Sequence, residues 1–174
     1  IFANLVLFDE INRASPKTQS ALLEAMNTAQ VSIERQTYDL PRPFMVIATQ
    51  NPLDNYGTFP LPKSQLDRFT LRLHLGYPDL DNEREILRNR RETGDLSMIG
   101  NVLSIDDLTA MQAGVRKVKI DDSLVYYIVQ IVGSTRTSPL IEVGGSTRSA
   151  IALRNCAQAH AYLNGRDYTL PDDV

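Results

Sequence analysis

Apolar positions fall into two short solid runs and two alternating stretches in the first part of the chain, then into a helical rhythm that continues to the end. Leu5 to Phe8 are consecutive apolar residues closed by Asp9-Glu10, and a run of this kind predicts a strand covered on both faces, as in a parallel sheet. Ser15-Pro16 supplies a cap and a first helical residue, so a helix is expected to about Asn27 with Leu22, Leu23 and Met26 on one side. From Gln30 to Leu40, Val31, Ile33, Tyr38 and Leu40 alternate with polar residues around Glu34-Arg35-Gln36, which reads as a small exposed hairpin. Phe44 to Ala48 form the second solid run, ending in Thr49-Gln50-Asn51 before Pro52. A loop over 55–62 and a short helical turn near Ser64–Arg68 lead to a third expected strand, Phe69 to Leu75. There Thr70, Arg72 and His74 alternate with leucines, as on a sheet edge.

Gly76-Tyr77-Pro78 marks a change of period, and nearly everything after it reads as helix. A helix is expected over 81–92. Ser104 with Asp107 resembles a capping box for the next, and Asp121 caps a third that presents Leu124, Ile128, Ile131 and Thr135 and ends near Ser138-Pro139. Ser146 caps a fourth, lined by Ala152, Cys156, Ala159 and Leu163, with Gly165 as its stop. The chain therefore divides into an α/β part, 1–76, and a helical part, 77–174. Its first residues already approach a strand and Pro171-Asp172-Asp173 resemble a helix start, so a piece of a longer protein is expected.

Composition narrows the possible functions. Of the 174 residues, 43% are hydrophobic and 22% charged, a globular balance. Net charge is −3 with the signs well mixed, which disfavours nucleic acid as a partner. No run approaches the roughly 20 apolar residues of a membrane span. The single cysteine, Cys156, has no internal partner; with no basic leader in the sequence, a reducing, cytoplasmic setting is expected. His74 and His160 are too isolated to suggest zinc.

In open α/β sheets, functional polar groups gather beyond the carboxyl ends of strands, and both solid runs end that way. An acid pair such as Asp9-Glu10 suits a magnesium-nucleotide site: the first acid holds the ion, usually through water, and the second orients or deprotonates the attacking water. Asn51 on the neighbouring strand would align the same water. Each has a plainer reading, since acid pairs are common at solvated loops and Asn-Pro is good turn chemistry.

Longer strings carry more information. LVLFDEINRASPKTQSALLEAMN, VIATQNP, LPKSQLDRF and GGSTRSAIAL, in that order and spacing, closely resemble the MoxR family of AAA+ ATPases over essentially the whole chain. The first looks like its Walker B strand, the second like sensor 1, the third like the arginine-finger segment, and the last like sensor 2 at the start of a lid helix. The resemblance implies a P-loop NTPase AAA+ core, with a partial parallel sheet and flanking helices, followed by an all-helical lid domain. It implies Mg2+ and ATP as cofactors, with Asp9 coordinating magnesium, Glu10 activating water and Asn51 sensing the terminal phosphate. Arg68 would reach the nucleotide of the adjacent subunit, and Arg148 would contact phosphate from the lid. The hairpin resembles the pre-sensor 1 insertion, which faces a pore or client. The family further implies a homo-oligomeric ring, a hexamer, with chaperone-like action on clients such as von Willebrand factor A domain proteins.

Plainer roles are expected elsewhere. Asn12, Arg13 and Lys17 are secondary candidates for contact with a ligand or neighbouring subunit, Lys63 reads as a surface charge, and Tyr126 and Tyr127 as lid packing. Cys156 is expected to be an ordinary buried residue, and His160 either packed or solvated.

The sequence departs from the family in three places. No G-x-x-x-x-G-K-[S/T] occurs, so the backbone nest and lysine that hold the β and γ phosphates are lacking, and the chain alone is expected to hydrolyse ATP poorly. In the family that motif lies upstream, with a central strand, so 44–48 and 69–75 are expected to flank a gap. Thr147 stands where Pro is common before the sensor 2 arginine, and Phe8 where a small residue is frequent. The alternatives are a non-catalytic AAA+-derived interaction module, which the missing loop favours, and a DNA-remodelling relative, which the mixed charge disfavours.

Overall fold

The computed structural model describes residues 1–51, 57–89 and 99–174. Strand β1 (Leu5–Phe8) lies parallel to β4 (Met45–Ala48), with Leu5 opposite Met45 and Phe8 opposite Ala48. Parallel neighbours need a crossover. Helix α1 (Pro16–Thr28) and the antiparallel hairpin β2 (Gln30–Ile33) and β3 (Gln36–Asp39) supply it. Ser15 caps α1 as expected, its hydroxyl accepting from the Thr18 N–H at 3.3 Å, with Pro16 in the first turn. Leu22 and Leu23 turn inward and, with Ile11 and Leu61, form a buried cluster against which Met26, Phe8, Val46 and Ala48 pack. Burial of side chains this size contributes about 1.5–3 kcal/mol each. The hairpin turn is Glu34-Arg35, both residues in the left-handed region at φ 50° and 70°, which matches the right-handed twist of its arms without glycine.

Two strand expectations need correcting. The β1–β4 pair is covered on one face only: Leu5, Leu7, Met45 and Ile47 all point to solvent. Phe69 to Leu75 form no strand, and Leu73 and Leu75 are 81% and 98% exposed. The reason is common to both. A strand is stabilised by a ladder partner on each side and by cover on each face, and among the described residues 69–75 finds no partner. Of the expected gap, only its β4 side is therefore formed.

Leu66 and Phe69 return to the core from the short helix α2 (Lys63–Leu66). Helix α3 (Leu80–Asn89) follows; the expected end of this helix at 90–92, and 55–56 of the expected loop, lie outside the described residues. The remaining helices form as the caps predict. In α4 (Ile105–Val115) Ser104 and Asp107 complete a reciprocal capping box, and in α5 (Asp122–Thr137) Asp121 accepts from the Ser123 N–H. Helix α6 (Thr147–Leu163) starts from a Ser146–Ser149 capping box, and Gly165 at φ 72° takes the left-handed position beyond its end.

The buried faces are rotated slightly from expectation. On α5, Leu124, Ile128 and Val132 are buried in place of Ile131 and Thr135. On α6, Ala157, Gln158 and Ala161 are buried, whereas Leu163 is exposed and Cys156 half-buried. Small residues let the helices approach closely, and a β-carbon on Gly114 of α4 would sit 2.5 Å from the Tyr162 ring. Gln158 donates to the Val118 carbonyl at 2.7 Å, which satisfies the one buried amide on that face of α6. Tyr126 and Tyr127, expected to pack, are exposed. The final 3-10 turn (Pro171–Asp173) is tied back by Arg166, which donates two hydrogen bonds to Asp173 at 2.6 and 2.7 Å. His160 lies solvated beside the same carboxylate.

Candidate functional site

The parallel register puts the ends of β1 and β4 side by side, so Asp9 and Thr49 are neighbours. Thr49 joins the two strand ends through three interactions. Its hydroxyl donates to Asp9 Oδ1 at 2.5 Å and accepts the Glu10 N–H at 2.9 Å, while its backbone carbonyl accepts the Ile11 N–H at 3.0 Å. One carboxylate oxygen of Asp9 is thereby oriented, and the side chain stays exposed. Glu10 has a left-handed backbone at φ 50°, ψ 57°, a conformation that costs a non-glycine residue about 1–2 kcal/mol. It is held there by the Thr49 hydroxyl and by an ion pair from its Oε2 to Arg13 Nε at 2.8 Å. Strain of this kind, imposed by a surrounding network, is characteristic of functional positions.

Asn51 lies two residues beyond Thr49 at the same strand end, and its backbone carbonyl accepts from Asn12 Nδ2 at 3.5 Å. Asn12 is buried, and its Oδ1 has no partner among the described residues. Behind them Gln19 spans the loop, its Nε2 donating to the carbonyls of Ile11 at 3.0 Å and Phe59 at 2.8 Å. Thus Asp9, Glu10 and Asn51 are brought to one place, on a floor built by Asn12 and Gln19. Neither Thr49 nor Gln19 stands out in the sequence as an individual site residue. Thr49 was visible in the polar group closing the second run, but a hydroxyl that orients an acid from 40 positions away leaves no local pattern.

The two arginines lie elsewhere. Arg68 Nη1 donates to the Leu23 carbonyl at 3.2 Å, and the residue lines an open depression of about 280 Å³ with Glu24, Asn27 and Gln65 on the far half of α1. Its Nε is buried without a partner among the described residues. Arg148 faces Asp67, Nη1 to Oδ2 3.7 Å, with 53% of its side chain exposed. Asp67 also accepts from the hydroxyls of Ser146 at 2.7 Å and Ser149 at 2.8 Å. Those hydroxyls, then burial acting the other way, then Arg148, leave its carboxyl below the usual aspartate range. Lys63 is an exposed surface charge, as expected, and pairs with Glu142.

An exposed carboxylate with one oriented oxygen suits a magnesium ion that keeps most of its own water. No cluster of three or more His, Cys, Asp or Glu occurs among the described residues. Asp9 is the residue that would hold such an ion, which when bound neutralises phosphate charge. No helix among the described residues is long and apolar enough to cross a membrane.

Known proteins resemble this chain along its length. Residues 1–71 match the ATPase family associated with various cellular activities (AAA), and residues 133–174 match the AAA lid domain. The chain is 47% identical over its full length to the uncharacterised protein YeaC of Bacillus subtilis, covering 54% of that protein. It is 38% identical to chaperone MoxR1 of Mycobacterium tuberculosis, again over the full chain and 48% of the relative. A crystal structure of a candidate ATPase from Cytophaga hutchinsonii superposes with a TM-score of 0.89 at 42% identity, over 99% of this chain and 55% of that one. The chain thus spans about half the length of the relatives it matches. With both its α/β part and its last helices matched in order, the chain belongs to the MoxR family of AAA+ ATPases.

Proposed function

We propose that this chain is the Walker B-to-lid portion of a MoxR-like ATPase that couples hydrolysis of Mg-ATP, to ADP and phosphate, to chaperone-like remodelling of partner proteins. Residues 1–76 form the partial core and 77–174 the lid. Asp9 holds magnesium through water, Glu10 activates the attacking water, and Asn51 aligns it against the terminal phosphate. Arg68 acts on the nucleotide of a neighbouring subunit in a homo-oligomeric ring of six, and Arg148 answers to phosphate from the lid. The setting is cytoplasmic, and the clients are proteins such as those with von Willebrand factor A domains.

The observation that best supports this reading is the bond from Thr49 to Asp9, which joins the acid pair and Asn51 at one end of two parallel strands. The position of Arg68 on the far half of α1, away from that cluster, is what action on a different subunit requires. The phosphate-cradling loop is not among these residues, so turnover belongs to the intact protein. A non-catalytic interaction module is the second reading.

One substitution separates the two. In the intact protein, Glu10→Gln is expected to lower ATP turnover by about 100-fold or more, the scale of a lost general base, while nucleotide binding persists. Wild-type protein that binds no nucleotide, or a Glu10→Gln variant with undiminished turnover, would overturn the catalytic reading.

A further inference from the structure

Helix α2 and the residue after it have two polar contacts that lead away from the core. Lys63 and Asp67 stand four residues apart, one helical turn, and so share a face. Leu66 and Phe69 anchor the same segment in the core cluster. From that anchored base Lys63 reaches Glu142, and Asp67 reaches Ser146, Ser149 and Arg148. The lid side is equally fixed. Gly145 donates its N–H to Thr135 Oγ1 at 2.8 Å and accepts from Arg136 Nε at 2.8 Å, so the loop entering α6 is fastened to α5. Gly144 has the reason for its identity here, since a β-carbon would lie 2.5 Å from the Arg136 Cα.

Asp67 therefore sits between the core-anchored end of α2 and the start of α6. Its carboxylate accepts from both hydroxyls of the α6 capping box, while Ser146 Oγ accepts in turn from the N–H groups of Arg148 at 3.0 Å and Ser149 at 3.2 Å. Acid near a helix start also complements the dipole there. The next residue, Arg68, turns the opposite way and binds the Leu23 carbonyl of α1. Adjacent residues thus face the lid and the core.

We propose that Asp67, assisted by Lys63, is a positioning residue that docks the lid helix α6 on the core and thereby sets the placement of Arg148 and Arg68. This deepens the reading above and rests on it where nucleotide is concerned; the docking itself does not. The Lys63–Glu142 pair is exposed and contributes little by itself. The hydroxyl-to-carboxylate bonds of Asp67 carry most of the contact, being charge-assisted and partly shielded.

The test is amide hydrogen exchange on the intact protein with Asp67→Ala, and with Asp67→Asn as the conservative variant that keeps an acceptor. Exchange at 148–150 is expected to accelerate about tenfold or more in Asp67→Ala, the scale of a lost charge-assisted hydrogen bond, with α5 and α1 unchanged. Asp67→Asn should recover part of that protection. Affinity for a fluorescent ATP analogue should fall about tenfold in Asp67→Ala and less in Asp67→Asn. Unchanged protection at 148–150, or equal acceleration across the whole lid, overturns the docking. Loosened exchange with undiminished nucleotide affinity overturns the positioning of Arg148. Wild-type protein that binds no nucleotide defeats the ATPase reading instead, and the exchange measurement then decides the docking without it.

Discussion

The two halves of the chain complete themselves to different degrees. In residues 99–174 each of the three long helices has its cap, α5 and α6 bury matching faces, and the last turn is tied back by Arg166 and Asp173. Among the described residues of 1–75 only two strands pair in the core sheet, one of its faces is bare, and 69–75 form no strand. The cause lies in where hydrogen bonds close. A helix satisfies its backbone within one segment and needs neighbours only for its apolar stripe. A strand satisfies nothing alone. A helical lid is thus specified by local sequence, whereas the sheet is specified by contacts with segments far away in the chain. Nonetheless the acid pair and Asn51 are in place, because one crossover and one register suffice to set them.

The most severe test concerns the arginine on the core side. In the intact protein Arg68→Ala is expected to reduce ATP turnover by about 10³-fold or more if it acts as a finger. Mixing it with Glu10→Gln subunits should restore part of the activity, because one intact site is then assembled from two chains. Rescue is measured as turnover against mixing ratio. If both substitutions lose binding equally and no rescue appears, Arg68 belongs to the fold of its own subunit through Leu23.

Next in size is a stability effect. Leu22 is almost fully buried in the cluster that joins α1 to the sheet. Leu22→Ala should destabilise the α/β half by about 2–5 kcal/mol, read as a lower denaturant midpoint. Leu7, on the same sheet unit but 65% exposed, should cost less than about 1 kcal/mol when changed to Ser in the chain of 174 residues. In the intact protein, a Leu7→Ser cost as large as that of Leu22→Ala would show that this face is covered there. Equal costs in the shorter chain would contradict the one-sided sheet.

How much could be read from sequence follows the same division. Ser15, Ser104, Asp121 and Ser146 were legible as caps because a cap is a local chemical rule, and each one accepts the expected backbone N–H. Asp9, Glu10 and Asn51 were legible as one strand-end group because two solid apolar runs end in polar residues. Phe69 to Leu75 misled because alternation reports a preference for a sheet, not the presence of a neighbour. Val132 replaced Ile131 because one residue rotates a helix face by about 100°, and the partner helix chooses among apolar positions of similar size. Nothing in QLDRF announces that Asp67 contacts serines about 80 positions away.

The smallest effect expected is in the lid, at a single cap. Ser104→Ala removes the acceptor of the Asp107 N–H and the hydroxyl that donates to Asp107 Oδ2, at 3.0 and 2.6 Å. The loss should be about 1 kcal/mol at neutral pH, measured from thermal or denaturant unfolding. Its pH dependence follows from Asp107. The hydroxyl of Ser104, then its N–H, stabilise the ionised carboxylate and hold it below the ordinary aspartate range. A depressed folded-state value gives stability that is complete above the unfolded value and disappears as pH falls through the folded one. The gap between wild type and Ser104→Ala should therefore be constant near neutrality and narrow as the solution is taken below the ordinary aspartate range. A gap that instead widens in acid would mean that Asp107 opposes α4 when charged, contrary to its place in the first turn, where the helix dipole favours an acid.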